Sequence, residues 1–564
     1  MKKLVVASLF LVGIFSFNSC ARQGSPSGGP KDVTPPKLLG SFPDTLAVNV
    51  DPNIQEIEIR FDEYIQLKEY NKNVVVSPPF ERNPTVTPIS MAEKSVRIKL
   101  RDALLPNTTY SFNFGDAIQD FNENNKLSNF TYVFSTGSFI DSLSVKGSVF
   151  PGTEFELPKK VLVGLYNVDE NYNDSVILKS KPYYISRVNE KGEYDLKFLK
   201  TGKYKLVAFE DKVENTKFDY GKERVAFNSE IIDLTSNKEV NLKLFDQKPN
   251  YRVADSKQKG YGHIVIRTEG AAEKVTITSV NKELSTALYD IHPKQDSVNI
   301  WFNPAKEKFE NKSERLKFTV QHGEKLDSVS VLYTAPTKDY KSEFKAINET
   351  KLAPTQDFKI AALAPIKSIN KSLINVFKDT VQIPFDVVVD SIDKQIVRFK
   401  FDKNLGENFE VNAYPNAIID HFDVPNDTLI YQMKTGKRED YGNLKVNIQN
   451  LQDSPIFLQL IKKNQKFDVI EEKVGFGREF FFPNINPGDY YLRLYVDENQ
   501  NGVWDSGDIL SGRQPEPVYI YPSKIVIRAM WDSDETWIIG KESEQFILPK
   551  EGVVNTEQQP NNRQ

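Results

Sequence analysis

The sequence predicts an all-β chain, built as a tandem array of β-sandwiches. Three observations predict it. Apolar and polar residues alternate in short runs from residue 37 to residue 545, which is the period of a half-buried strand. The aromatic and aliphatic balance suits strands, with Tyr 24 and Phe 37 against Met 4 and His 4. A strand-plus-acidic-loop module also occurs twice, at Asp211 and Asp497, an offset of 286 residues, which marks an array. A chain of 564 residues is too long for one core, so four to six domains of about 100 residues are expected.

Composition narrows the function. A net charge of −4 and the lack of a basic stripe argue against nucleic acid. Four scattered histidines, His263, His292, His322 and His421, argue against a zinc site or a His-based active site. No G-x-S-x-G, P-loop or H-E-x-x-H run occurs. Carboxylates are plentiful (Asp+Glu 77), yet no spacing sets two of them in a cleft. The expectation is a protein that is not an enzyme.

The chain opens with Met1-Lys2-Lys3 and an apolar stretch from Leu4 to Phe17, a signal segment (1–19) too short to span a bilayer permanently. Ser19-Cys20 closes it, and Cys20 is the only cysteine. The run Phe17-Asn18-Ser19-Cys20 resembles a relaxed bacterial lipobox of the kind typical of Bacteroidetes. That resemblance implies cleavage before Cys20 and acylation of its sulfur and new amino group, and two or three acyl chains anchor stably. Ala21 is not an aspartate-type retention signal, which by the same resemblance favours the outer membrane; its periplasmic face and the cell surface both stay open. Residues 20–36, rich in Gly, Ser and Pro, read as a flexible tether.

Residues 37–137 carry the strands Ile54–Asp62 and Ser95–Leu100, then Leu105-Pro-Asn-Thr-Thr-Tyr110 and Phe134-Ser-Thr-Gly137. With Gly28-Gly29-Pro30-Lys31-Asp32 and Thr34-Pro35-Pro36 before them, these resemble the Ig-like domain of Bacteroidetes lipoproteins and surface-layer proteins. Asp116 and Asp120 in its last loop read as turn formers or cation ligands. Residues 138–248 hold Gly192, Tyr194, Phe198, Leu199, Gly202, Tyr204 and Leu206 in a pattern similar to transthyretin-like or carboxypeptidase-regulatory-like sandwiches, which are relatives of the Ig fold. Residues 249–347 form an unassigned sandwich, and 348–440 an Ig-like one. Residues 441–545 form a second transthyretin-like module, and 546–564 a disordered tail. That order suggests sandwiches placed end to end in a bent rod.

The fifth module carries the one stretch with metal-loop spacing. Oxygen side chains fall on Asp497, Asn499, Asn501, Asp505 and Asp508, and Val503 would offer its carbonyl. Gly502 lets the backbone turn between ligands. A hard cation such as Ca²⁺ takes six to eight oxygens in this way. The loop resembles those of EF-hands and dockerins, with Asp508 where Glu is usual and without their helices. It reads either as a structural Ca²⁺ site or as a polar hairpin that binds nothing. The copy at Asp211 keeps Asn215, Asp219 and Gly221 but has Val213 and Lys222 where ligands would stand, and Thr216 in the place of Gly502. Trp504 and Phe218 read as matched core plugs. Tyr519 and Tyr521 read as core or edge-strand residues, or else as a binding face.

Together these readings imply a non-enzymatic, lipid-anchored scaffold or interaction protein of the outer membrane. It would be a subunit of an envelope complex, such as one built on an outer-membrane β-barrel or its assembly machinery. The alternative is a cell-surface adhesin for glycan or protein.

Overall fold

The computed structural model describes residues 32–270, 274–291, 296–338, 340–348 and 351–548. The signal segment, Cys20, residues 20–31 of the tether, His292 and the tail beyond residue 548 lie outside the described residues. The chain is all-β. Among the described residues its α-helices are single turns such as Tyr70–Asn73, Ser175–Lys179 and Lys541–Glu544. Among the described residues no helix is long and apolar enough to cross a membrane. Two compact units divide it, Met1–Ile140 and Asp141–Gln564.

The first unit is one sandwich. Strands Leu38–Phe42, Glu56–Leu67, Glu93–Lys99 and Thr85–Thr87 form one sheet in that order, and Ile118–Asp120 pairs with Glu56–Leu67. Val75–Ser77, Thr109–Asn113 and Thr131–Ser135 form the facing sheet. Alternation places Ile57, Ile59 and Phe61 inward against Phe112, Tyr132 and Phe134, all in one buried cluster.

The second unit contains four such cores, with buried residues spanning 145–244, 251–333, 352–433 and 444–539. We call them the second to fifth sandwiches. The second and fifth share a strand order. In the second, Glu193–Leu199 pairs with Leu143–Phe150, which takes Lys238–Glu239 and Leu242–Lys243 in parallel. In the fifth, Glu479–Ile485 pairs with Gly442–Gln449, which takes Asp532–Ile538 in parallel. The facing sheets correspond too. Tyr184–Arg187, Val161–Asn167, Gly202–Glu210 and Arg224–Phe227 match Phe467–Gly475, Ile456–Lys463, Gly488–Val496 and Val518–Ile520.

The four sandwiches are not laid end to end, which corrects the rod expected from their order. The third meets the fourth, where Trp301, Ala364 and Phe422 are buried together. There Asn303 Nδ2 donates to the Phe422 carbonyl at 2.8 Å, and His421 Nε2 donates to that of Thr286 at 2.8 Å. The second meets the fifth in a separate cluster of Phe155, Ile461, Tyr491 and Ile520. Within the unit the contacts therefore close a circuit. Alternation specifies which face of each strand is buried but carries nothing about which sandwich caps which.

Residues 546–548, expected to be part of the disordered tail, are packed instead. Phe546 and Leu548 pack on the Phe155 cluster, and Leu548 donates its N–H to the Phe155 carbonyl at 2.8 Å. The expectation took the polar run after residue 553 as its guide, and that run lies outside the described residues.

Candidate functional site

The acidic loop leaves strand Gly488–Val496, where every second side chain faces the core. Asp497 follows at once and is 1% exposed. A buried carboxylate needs donors, and the loop supplies them. Asp497 Oδ1 accepts from the Asn501 N–H at 3.0 Å, and its Oδ2 from Gly502 at 2.8 Å. Asn499 and Asn501 both turn their amides onto Asp505 Oδ2, each at 2.7 Å. The Val503 N–H donates to Asn501 Oδ1 at 2.9 Å, and the Val503 side chain is exposed. Asp497, Asn499, Asn501, Val503 and Asp505 are thus brought together.

Asp508 is not brought to them. Its Oδ1 accepts instead from Gln247 Nε2 at 3.2 Å, in the second sandwich, and faces the Tyr220 hydroxyl at 3.4 Å. Its place is taken by Glu516. That carboxylate accepts the Asn499 N–H at 3.1 Å and the Asp505 N–H at 2.8 Å, tying the loop's far side to its start. Among the described residues no cluster of three or more His, Cys, Asp or Glu has the geometry to hold a metal ion.

The copy at Asp211 builds the same turn. Asp211 Oδ1 accepts the Asn215 N–H at 3.0 Å, and Asn215 Nδ2 reaches Asp219 Oδ2 at 2.8 Å. Glu223 accepts the Lys212 and Asp219 N–H groups at 2.8 and 2.9 Å, as Glu516 does in the other loop. Even the left-handed backbone repeats. Gln500 (φ 58°) and Gly502 (φ 85°) match Glu214 and Thr216, both at φ 59°. Burial is the largest influence on Asp211 and Glu223 and pushes both carboxyls up, against the N–H groups that favour their charge. The turn is therefore held by carboxylate-to-backbone bonds in both copies, whichever residues fill its other positions.

The rest of the loop docks. Ile509 is fully buried, and the core it enters belongs to the second sandwich, beside Phe209, Phe218, Phe227 and Phe245. Its N–H donates to Gln247 Oε1 at 3.0 Å. Ser506 Oγ donates to the Asp246 carbonyl at 2.6 Å, and Gln514 Nε2 to that of Phe227 at 2.9 Å. Gly507 lies so close that a Cβ there would come within 2.8 Å of the Phe245 ring and 2.9 Å of the Arg513 carbonyl. A second contact flanks this one. Phe155 stacks on Phe467 with centroids 4.6 Å apart, and Lys463 pairs with Glu156 at 2.9 Å. Between the two contacts, Lys243 Nζ donates to the Val518 carbonyl at 3.2 Å, and its burial lowers the amine's affinity for its proton.

The remaining sequence candidates resolve as packing. Phe218 is fully buried, while Trp504 is only half-buried, lying on Tyr495 with its Nε1 bonded to the Glu516 carbonyl at 3.0 Å. Tyr519 and Tyr521 pack on the fifth core, and the Tyr521 hydroxyl donates to Glu535 at 2.7 Å. In the first unit Asp120 is a buried turn former. Burial pushes its carboxyl up, but the N–H groups of Glu123, Asn124 and Asn125 outweigh that and hold it down. Asp116 pairs with Lys126 at 3.4 Å.

Residues 32–136 match the family of the bacterial Ig-like domain. Among curated proteins no sequence matches the chain. Solved structures similar to it include titin fragments and a surface-layer protein. A chimeric titin Z1Z2 is 9% identical over 34% of this chain and 97% of its own, with a TM-score of 0.15. The titin I-band fragment I67–I69 is 10% identical over 52% and 100%, at 0.13. The surface-layer protein rSbsC(31-844) is 11% identical over 91% and 68%, at 0.15. Similarity at that level supports no functional comparison. The class established is an all-β chain of β-sandwiches in which residues 32–136 match the bacterial Ig-like domain.

Proposed function

We propose that the chain is a non-enzymatic, lipid-anchored scaffold or interaction subunit of an envelope complex in the outer membrane. Acylation of Cys20 holds it there, and the partner is an outer-membrane β-barrel or its assembly machinery. The observation that carries the scaffold reading is the docking of the 506–514 segment. The loop most suited to present ligands spends Ile509 and Asp508 on the second sandwich. Such a contact rigidifies a frame rather than building a pocket. Sandwich edges then remain as places where a partner strand can add.

The reading includes a structural Ca²⁺ in the 497–505 turn. The donor set fits a hard cation in kind: the carboxylates of Asp497 and Asp505, the amide oxygens of Asn499 and Asn501, and the Val503 carbonyl. Asp508 is committed elsewhere, and Glu516 is the nearby carboxylate.

Affinity purification of the full-length chain from detergent-solubilised outer membranes, with mass spectrometry, tests this function. A stoichiometric β-barrel partner supports it. Recovery of the chain alone sinks it and moves weight to the surface adhesin.

A further inference from the structure

The N-terminal unit has an apolar pole where several segments meet. Strand Glu56–Leu67 runs toward it, with Ile65 paired to Glu93 on one side and to Asp120 on the other. The turn 88–92 lies just beyond Glu93, and Phe121 donates its N–H to the Tyr64 carbonyl at 2.9 Å. Asn125 Nδ2 donates to the Asp32 carbonyl at 3.1 Å, so the chain arrives from its N-terminus at this same pole. Val33, Tyr64, Ile89, Met91 and Phe121 are all exposed there. Ile89 and Met91, at 78% and 79%, are the most exposed large hydrophobic side chains among the described residues.

We propose that this pole is a membrane-contact face, with Ile89 and Met91 entering the interfacial region of a lipid bilayer. The inference rests on the lipid-anchor reading. From Cys20 to Asp32 an extended chain spans at most about 40 Å. Acyl chains at Cys20 therefore keep this pole within reach of the bilayer, whereas the far pole, where Glu56–Leu67 begins, is a strand length further away. Asp62, Glu63, Asp120 and Glu123 flank the apolar tip. Burial, then Asp120 and Asp62, push the Glu63 carboxyl up, and these four carboxylates outnumber Lys94, whose Nζ lies over the Tyr64 ring at the same pole. The contact is therefore apolar rather than electrostatic, and neutral lipid suits it better than anionic lipid.

The test uses the acylated full-length chain. Its only native cysteine is consumed by the lipid, so Met91→Cys supplies a single thiol for an environment-sensitive fluorophore. In phosphatidylcholine vesicles its emission should shift to the blue and be quenched by lipid-borne quenchers. Leu105→Cys, near the start of Glu56–Leu67, where Leu104 bonds to the Pro52 carbonyl, should stay aqueous. Exchanging a third of the lipid for phosphatidylglycerol should weaken the shift.

An aqueous signal at position 91 in a chain that is demonstrably acylated overturns this inference and leaves the anchor reading standing. A chain that incorporates no acyl label and does not fractionate with membranes overturns both. A probe shielded in native envelopes but not in pure lipid vesicles overturns the lipid assignment in favour of a protein.

Discussion

The Gln247 side chain accepts the Ile509 N–H at 3.0 Å across 262 residues of sequence, and its amide donates to Asp508 next door. One residue of the second sandwich thus holds two consecutive residues at the start of the turn that carries Ile509 into that sandwich. Ile509→Ala should cost about 2–5 kcal/mol, since it leaves a cavity among Phe209, Phe218 and Phe245. Gln247→Ala should cost about 1–3 kcal/mol by stranding a buried N–H. Three of the four tryptophans, Trp504, Trp531 and Trp537, lie in the fifth sandwich. A change in the second sandwich should therefore move the denaturation midpoint read by tryptophan emission. Midpoints that stay put would show that the two sandwiches unfold independently.

Thr216 holds a left-handed backbone where the matching residue is Gly502. A β-branched residue there is strained by roughly 1–2 kcal/mol. Thr216→Gly relieves that strain and loosens the unfolded chain, so a net gain of about 0.5–1 kcal/mol is expected. Gly502→Thr should reverse the sign. Thermal unfolding of the pair decides it, and a loss in Thr216→Gly would mean that its hydroxyl bond to the Asn215 carbonyl matters more.

Glu516→Ala removes the acceptor for two N–H groups and should cost about 1–3 kcal/mol without any cation. On the calcium reading, saturating the turn to about 100 times Kd adds about 2.7 kcal/mol to the stability. Asp505→Ala should abolish that gain, and Asp219→Ala, in the other copy, should leave it intact. Titration calorimetry with calcium checks this directly. No heat and no rise in Tm would leave the hydrogen-bonded turn as the loop's whole role.

The junction of the third and fourth sandwiches responds to acid through Asp423. Hydrogen bonds from Lys306 and then Lys367 hold its carboxyl down at about 2. A depressed folded value means the contribution is complete above the unfolded value, near pH 4, and is lost as pH falls toward 2. The pair is partly exposed, so about 1 kcal/mol is expected. Asp423→Asn should be less stable than the parent at pH 6 and converge with it near pH 2. Urea titrations across that window read the difference.

The all-β class was legible because alternation reports the buried face of each strand locally, as in Ile57, Ile59 and Phe61. The turn was legible as far as local spacing fixes it, from Asp497 to Asp505. Asp508 was misplaced because Gln247, far away in sequence, decides where its carboxylate points. Glu516 was missed because it joins the turn from the returning strand, and Glu223 stands at a different spacing in the other copy. The docking itself left a trace. Val161-Leu162-Val163-Gly164-Leu165-Tyr166 is apolar on both faces and buried on both. A sandwich strand with one wet face would not read so.

The contact between the second and fifth sandwiches also sets a path for mechanical load. Tension applied between residue 141 and residue 548 meets the Ile509 and Phe155 contacts before it can stretch the 249–440 span between them. The third and fourth sandwiches sit in a shielded loop of the force path and feel no pull until that clasp gives way. Their own unfolding would then register as a later, separate extension.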